Sequence, residues 1–113
     1  MIIEFKSKKL QKTCEDPRIA QKQFGKTIGN RLLQRVIEFS RAESLKEISK
    51  IPAAGLHKLE GKRADEYAVD LVHPFRLVFK PILDNDGDIN KLELINVISI
   101  EEVIDYHGKE KRK

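Results

Sequence analysis

The chain has one cysteine, one methionine, two tyrosines and no tryptophan among 113 residues. A single thiol, Cys14, rules out an internal disulfide framework and a zinc site built on cysteines. No apolar run approaches the length needed to cross a bilayer. The opening MIIEFKSKKL holds too short an apolar stretch for a secretory signal. Aromatic residues make up only 6%, which does not support a surface on which single-stranded bases stack. There is no room for a nucleotide-binding domain beside a substrate domain. The expectation is a cytoplasmic protein with no cofactor and no membrane segment. If it is an enzyme, its substrate is large and brings its own binding surface.

Charge is what the chain has in quantity. Charged residues are 35% and hydrophobic residues 40%, enough apolar content for one core and too much for a disordered chain. The net charge of +4 conceals an asymmetry: residues 1–50 hold 12 basic and 6 acidic side chains, residues 51–113 hold 10 and 12. A polyanion is felt at a distance mainly by the first half.

Ile2 to Phe5 reads as a first strand, and Lys8 to Cys14 as a short helix capped by Ser7. Asp16-Pro17 is a helix start with Asp as cap and Pro in the first turn. Phe24, Ile28, Leu32, Val36 and Phe39, widened by Leu33 and Ile37, predict one amphipathic helix running to about Arg41. Arg18, Lys22, Lys26, Arg31, Arg35 and Arg41 fall on its other faces. Gly25 and Gly29 inside it imply close packing against a neighbour. Ser44 and Glu47 form a capping-box pattern for a further helix to Lys50.

Beyond Gly55 the pattern changes to short β-branched and aromatic segments: Leu56 to Leu59, Glu66 to Val72, Phe75 to Pro81 and Leu92 to Ile100. Turns fall at Gly61–Asp65, His73-Pro74 and Asp84–Asp88. Glu101 to Ile104 reads as a turn of helix or a last short strand. The order β, α, long α, then strands predicts an α+β domain with helices on one face of an antiparallel sheet. Residues 1–107 read as one domain and residues 108–113 as a basic polar tail. Alternation puts Phe75, Leu77 and Phe79 toward the helices, and Arg76, Val78 and Lys80 on the open face.

The chemistry-bearing residues are few. The histidines are His57, His73 and His107. Two histidines with a nearby Lys or Arg are the parts needed to cleave RNA without a metal. One group takes the 2′-hydroxyl proton, another protonates the leaving 5′-oxygen, and a cation meets the phosphorane-like charge. A lone histidine is more often a surface or capping residue. Asp84, Asp86 and Asp88 alternate like the start of a calcium loop, but Gly87 is misplaced and no Glu closes the loop. A solvated turn is the reading there, and no metal is expected. The basic long helix is either a solvated face or a phosphate contact. Cys14 reads as a small core residue.

Leu56-His57-Lys58-Leu59-Glu60-Gly61, Tyr67-Ala68-Val69-Asp70-Leu71, Arg76-Leu77-Val78-Phe79-Lys80-Pro81 and Asp105-Tyr106-His107 together resemble the HigB-type toxins of the RelE/ParE superfamily. That resemblance implies a RelE-like fold, in which an N-terminal strand and helical hairpin accompany a twisted antiparallel sheet. It implies a ribosome-dependent endoribonuclease that cuts mRNA and arrests translation. It also implies a cognate antitoxin of helix-turn-helix type. The sequence does not locate its docking surface; the basic helix and N-terminal segment are candidate contacts, since their charge would steer an acidic partner. The catalytic residues implied are His57, Arg76, Asp105, Tyr106 and His107, with His107 as the main acid/base. Lys58, Lys62 and Lys80 are the implied RNA contacts. Glu60 stands where such sequences often have Lys, which leaves that charge to Lys58 or Lys62. Two other functions stay open on the same fold: a ParE-like gyrase poison, and a decayed toxin that only binds its antitoxin.

Overall fold

The computed structural model describes residues 1–106; His107 and the basic tail expected at 108–113 lie outside them. The first strand, β1, is Ile2–Phe5. Helix α1 covers Lys8–Glu15, and Ser7 caps it by accepting from the Leu10 N–H at 3.1 Å. Asp16 caps α2, Pro17–Phe24, through the Arg18 N–H at 2.9 Å.

The single helix expected from Pro17 to Arg41 is two helices. At Gly25 φ is +86°, a conformation that side chains with a Cβ rarely adopt, and the chain restarts as α3, Lys26–Arg41. The apolar stripe runs through the break because both helices face one core. Gly29 answers a close approach of α3 to α2: a Cβ there would lie 2.9 Å from the backbone of Ala20 and Gln21. Helix α4 is Leu45–Ser49, preceded by Ser44, whose side chain makes no cap. Glu47 instead accepts from the Glu43 N–H at 2.6 Å, so the reciprocal box does not form.

Strands β2 (His57–Lys58), β3 (Tyr67–Asp70), β4 (Phe75–Pro81) and β5 (Val97–Asp105) complete a five-stranded sheet. Its order is β1-β5-β4-β3-β2. β1 adds a parallel edge to β5; the other pairs are antiparallel. Leu92–Leu94 is a 3-10 turn rather than strand, and β5 instead runs on through Glu101–Asp105. The peptide between His73 and Pro74 is cis.

One face of the sheet is the core. Leu32, Phe39, Leu45 and Ile48 from the helices pack on Tyr67, Val69, Leu77, Phe79, Ile98 and Ile100. Phe39 meets Phe79 edge-on with ring centroids 4.9 Å apart. Tyr67 stacks on Phe79, and its hydroxyl donates to the Ile89 carbonyl at 2.6 Å. Burial, and then the charge of Asp88, push that phenol up. Between Val78 and Phe79 the β4–β5 register slips by one residue. The slip resets alternation, so Val103 faces the helices as Ile98 and Ile100 do, while Glu102 and Ile104 face the other way.

Cys14 lies in this core and is 1% exposed. Burial, and then the neighbouring Glu15 charge, push its thiol from 9.0 up to about 12. It is therefore a packed thiol and not a nucleophile. The folded value is raised, so its stabilising contribution is complete below pH 9 and is lost as pH climbs toward 12. Over that window the thiol costs up to about 1.4 kcal/mol of stability per pH unit. Urea denaturation between pH 8 and 11 should show a steeper fall for the wild-type chain than for Cys14→Ala. Parallel profiles would refute the assignment.

Candidate functional site

The face of the sheet turned away from the helices carries the candidate site. Its floor is a small apolar cluster of Leu59, Ala68, Val78 and Ile104, with Tyr106 packed against it. Register sets two rows across this floor. Asp70 stands opposite Arg76, and Arg76 opposite Ile104. His57 stands opposite Ala68, Ala68 opposite Val78, and Val78 opposite Glu102. The alternation read from Phe75–Lys80 therefore holds, and it delivers Arg76 and Lys80 to the open side.

Arg76 is the hub. Its guanidinium carbon lies 4.8 Å from the centroid of the Tyr106 ring, a cation–π contact that lays the planar group across the apolar floor. Its Nη1 is 3.4 Å from His57 Nε2, and its Nε is 3.3 Å from Asp70 Oδ1. The other nitrogen of His57, Nδ1, is 2.8 Å from the Gly55 carbonyl. A carbonyl only accepts, so Nδ1 carries the hydrogen. In the uncharged ring the lone pair then sits on Nε2, directed at Arg76. Gly55 ends the 3-10 turn Pro52–Ala54 with φ +55°, and a Cβ on it would run into Asp70 Oδ2. Glycine suits the left-handed backbone there, and its missing Cβ leaves the space that the Asp70 carboxylate fills.

The scaffold behind these groups is Arg35. The helical pattern assigns it to a solvated face, yet it is 1% exposed. Its Nε donates to the Asp70 carbonyl at 2.8 Å, Nη2 to the Ala53 carbonyl at 2.8 Å, and Nη1 to Glu38 Oε1 at 2.9 Å. One buried fork thus ties the end of β3 to the turn that leads into His57. Arg31 assists, donating to the Leu71 carbonyl at 3.3 Å. A hollow of about 240 Å³ opens beside Arg76, walled by Ala53, Asp70, His73, Pro74 and Phe75.

The chain matches no protein-family model and no curated protein. It is similar in structure to a YoeB/ParE toxin from Agrobacterium tumefaciens. The two share 9% sequence identity over 93% of this chain and 94% of that one, at a TM-score of 0.47.

The remaining sequence candidates divide. Asp105 stands opposite Phe75, on the strand side away from Ile104, so it does not share the face of Arg76 and Tyr106. Lys58 stands opposite Tyr67; neighbouring strand residues point to opposite faces, so it is not beside His57. Lys62 is exposed in the 3-10 turn Gly61–Arg63. Glu60 is exposed just ahead of that turn. Lys80 is on the open face, with its Nζ 3.4 Å from Asp65. Sequence reasoning missed Asp70, Arg63 and Glu102. Arg63 Nη2 bonds Glu102 at 2.8 Å, and its Nε is 2.7 Å from Glu66. The Glu102 hydrogen bond leads the effects that hold Arg63 more firmly charged than usual. Among the described residues no His, Cys, Asp and Glu side chains gather into a metal-ligating group, and no helix is long and apolar enough to cross a membrane.

Proposed function

We propose that this chain is the toxin of a type II toxin–antitoxin pair, HigB-like within the RelE/ParE superfamily, and that it cuts mRNA on the ribosome. The observation that carries the reading is the meeting of His57 Nε2 with the Arg76 guanidinium at 3.4 Å, above Tyr106, on a sheet face that the helices leave uncovered. The four motif segments quoted from the sequence supply the family resemblance.

The chemistry assigns one role to each group. His57 Nε2 accepts the proton of the 2′-hydroxyl as its oxygen attacks the adjacent phosphorus. Arg76 leaves His57 for the non-bridging phosphate oxygens, where charge accumulates, and its fork geometry suits two of them. His107, contributed by the terminal Asp105-Tyr106-His107 triplet, gives a proton to the departing 5′-oxygen. The products are a 2′,3′-cyclic phosphate and a free 5′-hydroxyl. Tyr106 holds Arg76 level and offers a ring edge to the nucleotide. Groups on an open sheet gain most when the RNA is already fixed in place, which fits a strand presented by the ribosome. No cofactor enters the scheme. The cytoplasm, a helix-turn-helix antitoxin and ribosome-bound mRNA follow as its setting and partners.

Primer extension on a defined mRNA in a cell-free translation system tests the reading, with wild type and His107→Ala in parallel. Cuts at codon-phased positions are expected, dependent on ribosomes and absent with the variant. Intact mRNA with the wild-type protein would overturn the nuclease reading. Inhibition of gyrase supercoiling in the same preparation would then favour a ParE-like poison.

A further inference from the structure

We propose that Asp70 is a built-in competitor for the phosphate, a specificity residue that holds Arg76 back from free RNA; the proposal rests on the RNA-cleaving reading above. Its carboxylate occupies the place on Arg76 that a phosphodiester oxygen would take. Arg76 is 31% exposed and Asp70 46%, so an incoming phosphate reaches the same guanidinium and must displace the same partner.

The seat of that carboxylate is constructed from both sides. Gly55 leaves the space for Asp70 Oδ2 that any Cβ would fill. Arg35 fixes the backbone beneath by binding the carbonyls of Asp70 and Ala53. The arrangement recurs on this face: Lys80 is paired with Asp65, and Arg63 with Glu66 and Glu102. Each of these cations already has an anion of the chain's own. An RNA strand diffusing freely competes poorly against a tethered carboxylate, whose effective concentration is high. A strand held rigidly in position pays less entropy on arrival and displaces it. Asp70 would therefore set how strongly cleavage depends on presentation of the RNA.

The test uses the full chain and inorganic pyrophosphate as the probe, followed by the Arg76 Nε–H resonance in ¹⁵N-labelled protein. Asp70→Asn should bind pyrophosphate about three- to tenfold more tightly than wild type, the range expected from removing one charge beside a partly exposed site. Asp65→Asn removes an equal charge beside Lys80, and should change the affinity at Arg76 less than twofold. Equal or weaker binding by Asp70→Asn refutes the proposal, as does an equal gain from Asp65→Asn. Asp70→Ser serves as a second variant where the amide disturbs the fold. A cleavage arm compares ribosome-free with ribosome-bound mRNA, and the ratio of the two rates should rise in Asp70→Asn. If wild type cuts no mRNA in either form, the nuclease reading fails, while the pyrophosphate arm still decides whether Asp70 restrains Arg76.

Discussion

Arg35→Ala should destabilise the fold by about 3–5 kcal/mol, since it removes one partner of a buried ionic and hydrogen-bonded group. Three consequences add. The carbonyls of Asp70 and Ala53 lose their donor, Glu38 loses its cation, and a cavity opens among Leu32, Phe39 and the neighbouring core. Small domains have only about 5–15 kcal/mol in total, so the loss is a large share. At about 4–8 °C per kcal/mol for a domain of this size, the midpoint should fall by more than about 12 °C. Arg35→Met restores volume but no donors, and should recover less than half of the loss. Arg35→Lys keeps the charge but reaches at most one of the two carbonyls, because it lacks the fork. Circular-dichroism melts decide the matter, and a midpoint for Arg35→Ala within about 3 °C of wild type would contradict this account.

Arg35 also marks where the sequence could be read and where it could not. The α+β layering and the face assignment of β4 follow from alternation and from turn residues, and the structure agrees; the single helix to Arg41 and the strand start at Leu92 do not hold. Arg35 lies three residues after Leu32 and four before Phe39, inside the stripe that defined the core face. That spacing is compatible with the core, but Arg35 reads with the other basic residues as part of the solvated faces, and the structure overturns that reading. The reverse holds for Ile37, counted with the stripe yet 49% exposed. Gly25 was visible as a glycine in a helix, but propensity does not tell a tolerated glycine from a chain reversal. That outcome is decided by the packing of α3 on α2. At the site, the motifs pointed to His57, Arg76 and Tyr106, which do come together. Lys58 looked like their neighbour because it is adjacent in sequence; strand alternation turns it away. Asp70 gave no local signal. Its meaning depends on register with Arg76 and on the space at Gly55, both of which are tertiary facts. His107 lies outside the described residues, and its part in the site rests on the resemblance.

His57→Ala should slow cleavage of ribosome-bound mRNA by about 10²–10⁴-fold, the range for losing a group that moves a proton in the rate-determining step. The fold should be little affected. His57 is half-buried on a two-residue edge strand, and its backbone link to Gly55 is local. His57→Asn sharpens the test. Asparagine can still donate toward the Gly55 carbonyl, but it has no nitrogen able to take up a proton. If Nε2 is the base, Asn and Ala should fail alike in single-turnover rate at saturating protein. If His57 only helps to hold phosphate, Asn should recover much of the rate, and the loss should appear as weaker binding instead. Arg76→Lys separates the remaining role. A lysine keeps one positive charge near Tyr106 but gives up the paired N–H geometry, so its rate should fall between those of wild type and Arg76→Ala. A His57→Ala rate within about threefold of wild type would leave no place for a base at this position. The first proton transfer would then fall to another group, with His107 the candidate that the family resemblance supplies.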